Sequence, residues 1–204
     1  MSILTEAQAR AILDKVIKLS TADETTAQLT CGIAGNIRFA RNNVSTSGVV
    51  DDTNLGVQVA FGKKVGTATI NTFDDASLER VVRRAEDLAR LAPENPEYMP
   101  IVGPQTFRPT NTFSQATADI TPEQRAKIAE ASIAPCRAQK LVAAGFLEDG
   151  QSFIAFLNSK GNFGYQRATS ADYTCTVRTE NGAGSGWVGR NVQDIAKFNA
   201  GSDV

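Results

Sequence analysis

The chain has 204 residues, room for one generous domain or two small ones, and its 42% hydrophobic and 21% charged residues are the balance of a soluble globular protein. Its 21 basic and 22 acidic residues leave a net charge of −1, so the total supplies no basic face and nucleic acid is not the expected partner. It contains no histidine, which removes Ser-His-Asp and Cys-His activation of a nucleophile and every histidine-ligated metal site.

The N-terminal stretch MSILTEAQARAILDKVIKLS carries early acidic residues and no apolar h-region, so it does not read as a signal peptide. Thr5 to Ser20 is instead predicted as an amphipathic helix. Ala9, Ile12, Leu13, Val16 and Ile17 fall on one stripe, and Thr5 can cap it. TTAQLTCG and NIRFARNNVSTSG follow as two β-branched strands closed by glycine. In NLGVQVAFGKKVGTATIN, Leu55, Val57, Val59 and Phe61 alternate to one face, Gly62-Lys63-Lys64 turns, and Val65 to Ile70 returns as a hairpin.

Asp74 or Asp75 then caps a second helix, with Leu78, Val81, Val82, Ala85, Leu88 and Ala89 on its apolar stripe and Pro93 and Pro96 beyond its end. The proline-bearing text from Pro100 to Asp119 has no period and reads as an extended crossing segment. Thr121-Pro122-Glu123-Gln124 opens the next helix with a capping box and a proline at its first position, and Pro135 is expected to kink or end it. Strands are expected at 141–147, 152–158, 163–179 and 185–188. No run of 18 apolar residues predicts a membrane span.

The two halves repeat one another. Asn42 to Asn158 is an offset of 116, Gly66 to Gly184 of 118, and Asp75 to Asp194 of 119, each landmark lying at the same place in a strand–strand–return strand–helix order. This repeat decides how to read Gly184-Ser185-Gly186-Trp187-Val188-Gly189, a literal G-x-G-x-x-G. Its place is the turn and return strand of a hairpin, with Asn181-Gly182 as the turn pair. A dinucleotide site would need a helix and an acidic residue further on, within a βαβ unit. The glycines are assigned to the sheet.

Other candidates are weighed in the same way. Asp51-Asp52, placed where one strand gives way to the next, and Asp74-Asp75, at a helix start, read as turn and cap residues rather than paired carboxylates. Lys63-Lys64 reads as a solvated turn before an anion contact. Trp187, the only tryptophan, is assigned to the core ahead of a ligand platform. Cys31, Cys136 and Cys175 lie far apart without C-x-x-C spacing, which fits reduced, packed thiols in a cytoplasmic protein. Arg38, Arg41 and Asn42, with Asn43, form a polar stretch that is either a plain exposed sheet face or a contact for extended peptide.

In order and wording, RFARNNVSTSG, VQVAFGKKVGTATINTFDDASLERVVRRAEDLARLAPENPEY, VAAGFLEDGQSFIAFLNSKGNFGYQRATSADYTCTVRT and GSGWVGR resemble the N-terminal part of the TldD/PmbA family, the modulators of DNA gyrase. The AFGKKVGTATIN stretch is closer to the PmbA branch. The resemblance implies a cytoplasmic protein that pairs with itself or with a TldD/PmbA-type partner subunit and handles unfolded peptides. It implies neither direct nucleic-acid binding nor a membrane. It also implies zinc, held by an H-E-x-x-x-H helix in a C-terminal domain or partner subunit. No catalytic, cofactor or metal residue carries over to this histidine-free chain, which is not expected to be active alone.

The expected architecture is α+β, two related units of mostly antiparallel sheet with helices on one face. The first spans 1–104, a proline-rich crossing segment 105–117, and the second 118–204. The expected role is the non-catalytic part of a peptide-processing metallopeptidase assembly, with dimer and substrate-channel surface and Arg38, Arg41 and Asn42 as substrate contacts. The alternatives are a stand-alone peptide- or protein-binding module and a peptidase using Ser-Lys, Asp or Cys chemistry.

Overall fold

The computed structural model describes residues 3–199. In chain order the elements are α1 (Glu6–Leu19), β1 (Glu24–Ala40), β2 (Asn43–Phe61), β3 (Lys64–Ile70), α2 (Asp75–Leu91), α3 (Gln115–Ala118), α4 (Pro122–Ala138), β4 (Leu141–Asn158), β5 (Phe163–Thr179), β6 (Ser185–Val192) and a 3₁₀ turn at Ile195–Lys197. The strands form one antiparallel sheet in the order β3-β2-β1-β4-β5-β6, with the helices on one face. The fold is therefore α+β as expected, but the two expected sheets are one. Each meander contributes three strands, and the two join through their first strands, β1 and β4. Pairing these long strands satisfies backbone groups that would otherwise line two open edges.

The repeat is visible element by element. Both α1 and α4 open with a complete capping box, Thr5 with Gln8 and Thr121 with Gln124, 116 residues apart. Gly62 and Gly182, at φ 58° and 72°, serve the hairpin turns before β3 and β6. The caps Asp74 and Asp194 open α2 and its counterpart, which is only the 3₁₀ turn. Two expectations need correction. TTAQLTCG and the start of NIRFARNNVSTSG are one continuous strand, β1, and the chain turns at Arg41-Asn42. Helix α4 runs three residues past Pro135, because a proline in the last turn removes only one intrahelical bond and Gln139 N–H closes onto the Pro135 and Cys136 carbonyls.

By contact the chain groups into two compact units that interleave stretches of both halves. One comprises residues up to Cys31, Asp52–Thr110 and Phe153–Gln166; the other comprises Gly32–Asp51, Asn111–Ser152 and residues from Arg167 onward.

In the first unit, Ala9, Leu13 and Val16 of α1 and Leu78, Val82 and Ala85 of α2 pack on Leu29, Val57 and Phe153. Helix α2 lies so close to β3 that a Cβ at Gly66 would stand 2.2 Å from the Ala85 carbonyl oxygen and 2.3 Å from the Ala89 nitrogen. Glu86 of α2 is 1% exposed and accepts from Thr21 N (2.7 Å), Thr21 Oγ1 (3.0 Å) and Arg83 Nη1 (2.7 Å), which ties α2 to the end of α1. The crossing segment is pinned here as well: Tyr98 Oη and Ile101 N donate to Glu24 Oε2 at 2.6 and 3.0 Å, and Asn158 Nδ2 donates to Val102 O at 2.8 Å.

In the second unit, Ile133 of α4 packs with Phe39, Leu147 and Tyr173. Arg125 of α4 makes a buried two-pronged pair with Asp149 of β4, Nε to Oδ1 at 2.5 Å and Nη2 to Oδ2 at 2.9 Å. The guanidinium lies against Gly35, where a Cβ would fall 1.8 Å from Nη2.

Candidate functional site

The β1–β2 turn gathers the residues singled out in the sequence. Arg41 and Asn42 sit at φ 51° and 59°. Two consecutive left-handed residues make the type I′ turn that matches strand twist, and asparagine tolerates that conformation better than most residues. The Asn42 side chain is spent on the fold: its Nδ2 donates to Leu141 O at 2.8 Å, and its Oδ1 accepts from Ala143 N at 2.7 Å. Asn42 thus stitches the turn to the start of β4. Arg137, in the last turn of α4, reinforces the stitch by donating to Asn42 O at 2.5 Å and Asn43 Oδ1 at 3.5 Å.

Arg38 and Arg41 differ from Asn42 in keeping exposed guanidinium groups. Arg38 lies 5.3 Å from the centre of the Phe146 ring, a cation–π contact that fixes its direction without consuming its donors. The Arg41 carbonyl accepts from Asn43 Nδ2 at 2.9 Å, while its guanidinium makes no hydrogen bond or ion pair among the described residues. The turn therefore brings Arg41, Asn42 and Arg137 together, while Arg38 stands on the adjoining strand.

From this turn β2 runs as an exposed strand. All residues from Asn43 to Asp52 are exposed, and Val44, Val49 and Val50 are 50–61% accessible. On one side Ser45 Oγ and Ser47 Oγ donate to the Arg38 and Asn36 carbonyls of β1. On the other side β3 pairs only from Leu55 onward, so among the described residues 43–52 have no neighbouring strand there. Asp51 and Asp52 lie inside this strand, not at its junction with another. The sequence signal was present: NVSTSGVVDD lacks the alternation that one buried face would impose. Arg137 was missed because nothing local marks it.

The remaining candidates resolve into structure. Asp74 Oδ1 caps α2 through Ser77 N at 3.0 Å, and hydrogen bonds from Ser77 hold its carboxyl below the ordinary carboxylate value. Asp75 pairs with Lys15 at 2.6 Å, and both line a groove of about 540 Å³ between α1 and α2. Lys64 Nζ reaches the Arg90 carbonyl at 3.4 Å. The glycines from 184 to 189 belong to a turn and to β6, which pairs antiparallel with β5.

Trp187 departs from the core expectation. It is 70% exposed, and its ring lies over Gly189 where a Cβ would come within 2.5 Å of it. The β5–β6 register explains this, because Trp187 sits opposite Thr176 while Ala171, Tyr173 and Cys175 of β5 face the core.

All three cysteines are buried and free. Burial pushes the Cys136 and Cys175 thiols up, away from the thiolate, the reverse of what a nucleophile needs. Among the described residues no group of three histidines, cysteines, aspartates or glutamates could hold a metal ion. The residues present do not fit a zinc site. No helix of the described chain is long and apolar enough to cross a membrane.

Residues 33–89 match the family description PmbA/TldA metallopeptidase domain 1, and residues 116–200 match its central domain. The chain belongs to the PmbA/TldD family. No curated protein matches it. Among solved structures it resembles TldE from Thermococcus kodakarensis, with TM-score 0.83 and 13% identity over 96% of this chain and 45% of that one. It resembles equally a protein described as a modulator of a DNA gyrase from Thermotoga maritima, with TM-score 0.83 and 13% identity over 96% of this chain and 46% of that one. A protein described in the same terms from Bacteroides thetaiotaomicron gives TM-score 0.80 and 14% identity over 97% and 48%. At such identities the likeness is one of fold. This PmbA/TldD chain spans a little under half the length of these relatives.

Proposed function

We propose that this chain is the non-catalytic N-terminal portion of a PmbA/TldD-type peptide-processing assembly, supplying dimer surface and substrate-channel surface in the cytoplasm. The observation that carries this reading is the pair of family matches, to domain 1 and to the central domain of a metallopeptidase, on a chain with no histidine and no metal-ligand cluster among its described residues. Zinc and the attacking water then belong to a C-terminal domain or to a partner subunit, and unfolded peptide is the substrate class.

On this reading Arg41 offers an unpaired cation beside an extended, solvated strand, a suitable contact for peptide carbonyls or carboxylates. Arg38 extends the same basic strip, and Asn42 holds the turn in place.

The test is to incubate the purified chain with unfolded peptides, with and without a chelator. We expect no cleavage in either case; chelator-insensitive cleavage by the chain alone would overturn the reading in favour of an independent enzyme. In an assembly with a catalytic partner, Arg41→Ala should weaken peptide binding by about tenfold, the value of one good charge-assisted contact. Unaltered binding would remove Arg41 from the substrate surface. Asn42→Ala is a poorer probe, since it also releases the turn from β4.

A further inference from the structure

The hairpin between β5 and β6 carries the one Asn-Gly pair in the chain, Asn181-Gly182, and neither the fold nor the proposed function uses the chemistry of that pair. A glycine after an asparagine presents the least hindered backbone nitrogen to the side-chain amide before it. Whether the two react depends on how the turn holds them.

Three features of this turn favour reaction. First, Asn181 Oδ1 accepts from Ala183 N at 3.1 Å, so the side chain curls over the Asn181–Gly182 peptide and carries its Cγ towards the Gly182 nitrogen. Second, the same oxygen accepts from Thr179 Oγ1 at 2.8 Å, nearer than that hydroxyl's other acceptor, Gly184 O at 3.4 Å. Two donors thus converge on the atom where negative charge grows when the Gly182 nitrogen attacks Cγ, the arrangement of an oxyanion hole. Third, the approach is open. Gly182 N donates to Thr179 O at 2.9 Å, which fixes the peptide plane, and a Cβ on Gly182 would meet nothing within 4 Å. Asn181 is exposed to water, and its Nδ2 has no hydrogen-bond partner among the described residues.

We infer that Asn181 is a self-modification site whose reactants are its own backbone and water. The Gly182 nitrogen bonds to Asn181 Cγ, the Cγ–Nδ2 bond breaks, and the Gly182 amide proton leaves with Nδ2 as ammonia. The product is a cyclic imide. Water then opens it at either carbonyl: opening at Cγ leaves aspartate at position 181, and opening at the main-chain carbon leaves isoaspartate. Either product places a new carboxylate beside Glu180, and isoaspartate also lengthens the backbone of the turn. The site is independent of the peptide-processing role.

The experiment is peptide mapping by mass spectrometry of the full chain during incubation at neutral pH, beside the same chain in guanidinium chloride. Conversion at position 181 should be at least about threefold faster in the folded chain, with aspartate and isoaspartate both formed. Hydroxylamine added during the incubation should cut the chain after position 181, as an imide requires. Thr179→Val should slow conversion about tenfold, and Thr179→Ser, which keeps the hydroxyl, should stay within about twofold of the wild type. Circular dichroism should show both variants folded.

Conversion no faster in the folded chain than in denaturant would overturn the inference, because the turn would then protect the pair. Aspartate without isoaspartate or hydroxylamine cleavage would overturn the imide route. A Thr179→Val rate equal to the wild type would overturn the activation of Oδ1 that the inference rests on.

Discussion

Glu86 shows how one residue can be buried and still charged. Burial alone would raise its pKa, but the Thr21 N–H, the Arg83 guanidinium and the Thr21 hydroxyl outweigh it and hold the carboxyl below its ordinary value near 4.5. A depressed folded-state pKa means that the ion contributes stability above the unfolded value and loses it as the pH falls through the folded value. The folded state should therefore weaken on acidification below about pH 4.5, and urea titrations should show a shallower acid loss for Glu86→Gln. Glu86→Ala should cost about 2 kcal/mol at neutral pH, because it removes the acceptor shared by Thr21 and Arg83 and opens a void at a buried position of α2. An acid profile unchanged by Glu86→Gln would show that other carboxylates govern it. None of this was legible beforehand. In the sequence Glu86 is one more charge on an amphipathic helix with Arg83 a turn before it, and the Thr21 that fixes it is 65 residues away.

At the scale of elements, the contact between α2 and β3 is the sharper test. Gly66 is not required by backbone conformation. It is required because the helix backbone occupies the place of its side chain. Gly66→Ala has to displace α2, and we expect a loss of about 3 kcal/mol in chemical denaturation, on the scale of core overpacking. A loss below about 1 kcal/mol would mean that the helix rides on the strand more loosely. Here much could be read in advance: the apolar stripe of α2, the Gly62 turn and the Thr121 capping box are all local. The continuity of β1 could not, because Gly32 and Gly35 look like breakers until Arg125 is seen lying on Gly35. Nor could the placement of Trp187, since an aromatic in a short strand fits either face and only the register with Thr176 decides between them.

For the whole molecule, the duplication was legible in offsets of 116 to 119 residues, and the structure extends it to paired capping boxes and paired turn glycines. What offsets cannot tell is whether two similar meanders make two sheets or one. That depends on which edges meet, a long-range choice that leaves no mark within either half. The same limit applies to the candidate site. Arg38, Arg41 and Asn42 were found as a polar cluster, but their division into surface cations and a structural stitch depends on β4, about a hundred residues further on.

The single tryptophan has a practical consequence. With the ring of Trp187 already 70% in water and lying over Gly189, native emission should lie close to that of free indole in water and be readily quenched by iodide. Denaturation should hardly move it. Fluorescence melts would then report this protein as featureless while circular dichroism records a cooperative transition. A blue-shifted native spectrum would instead reveal that something covers the β6 strand in solution.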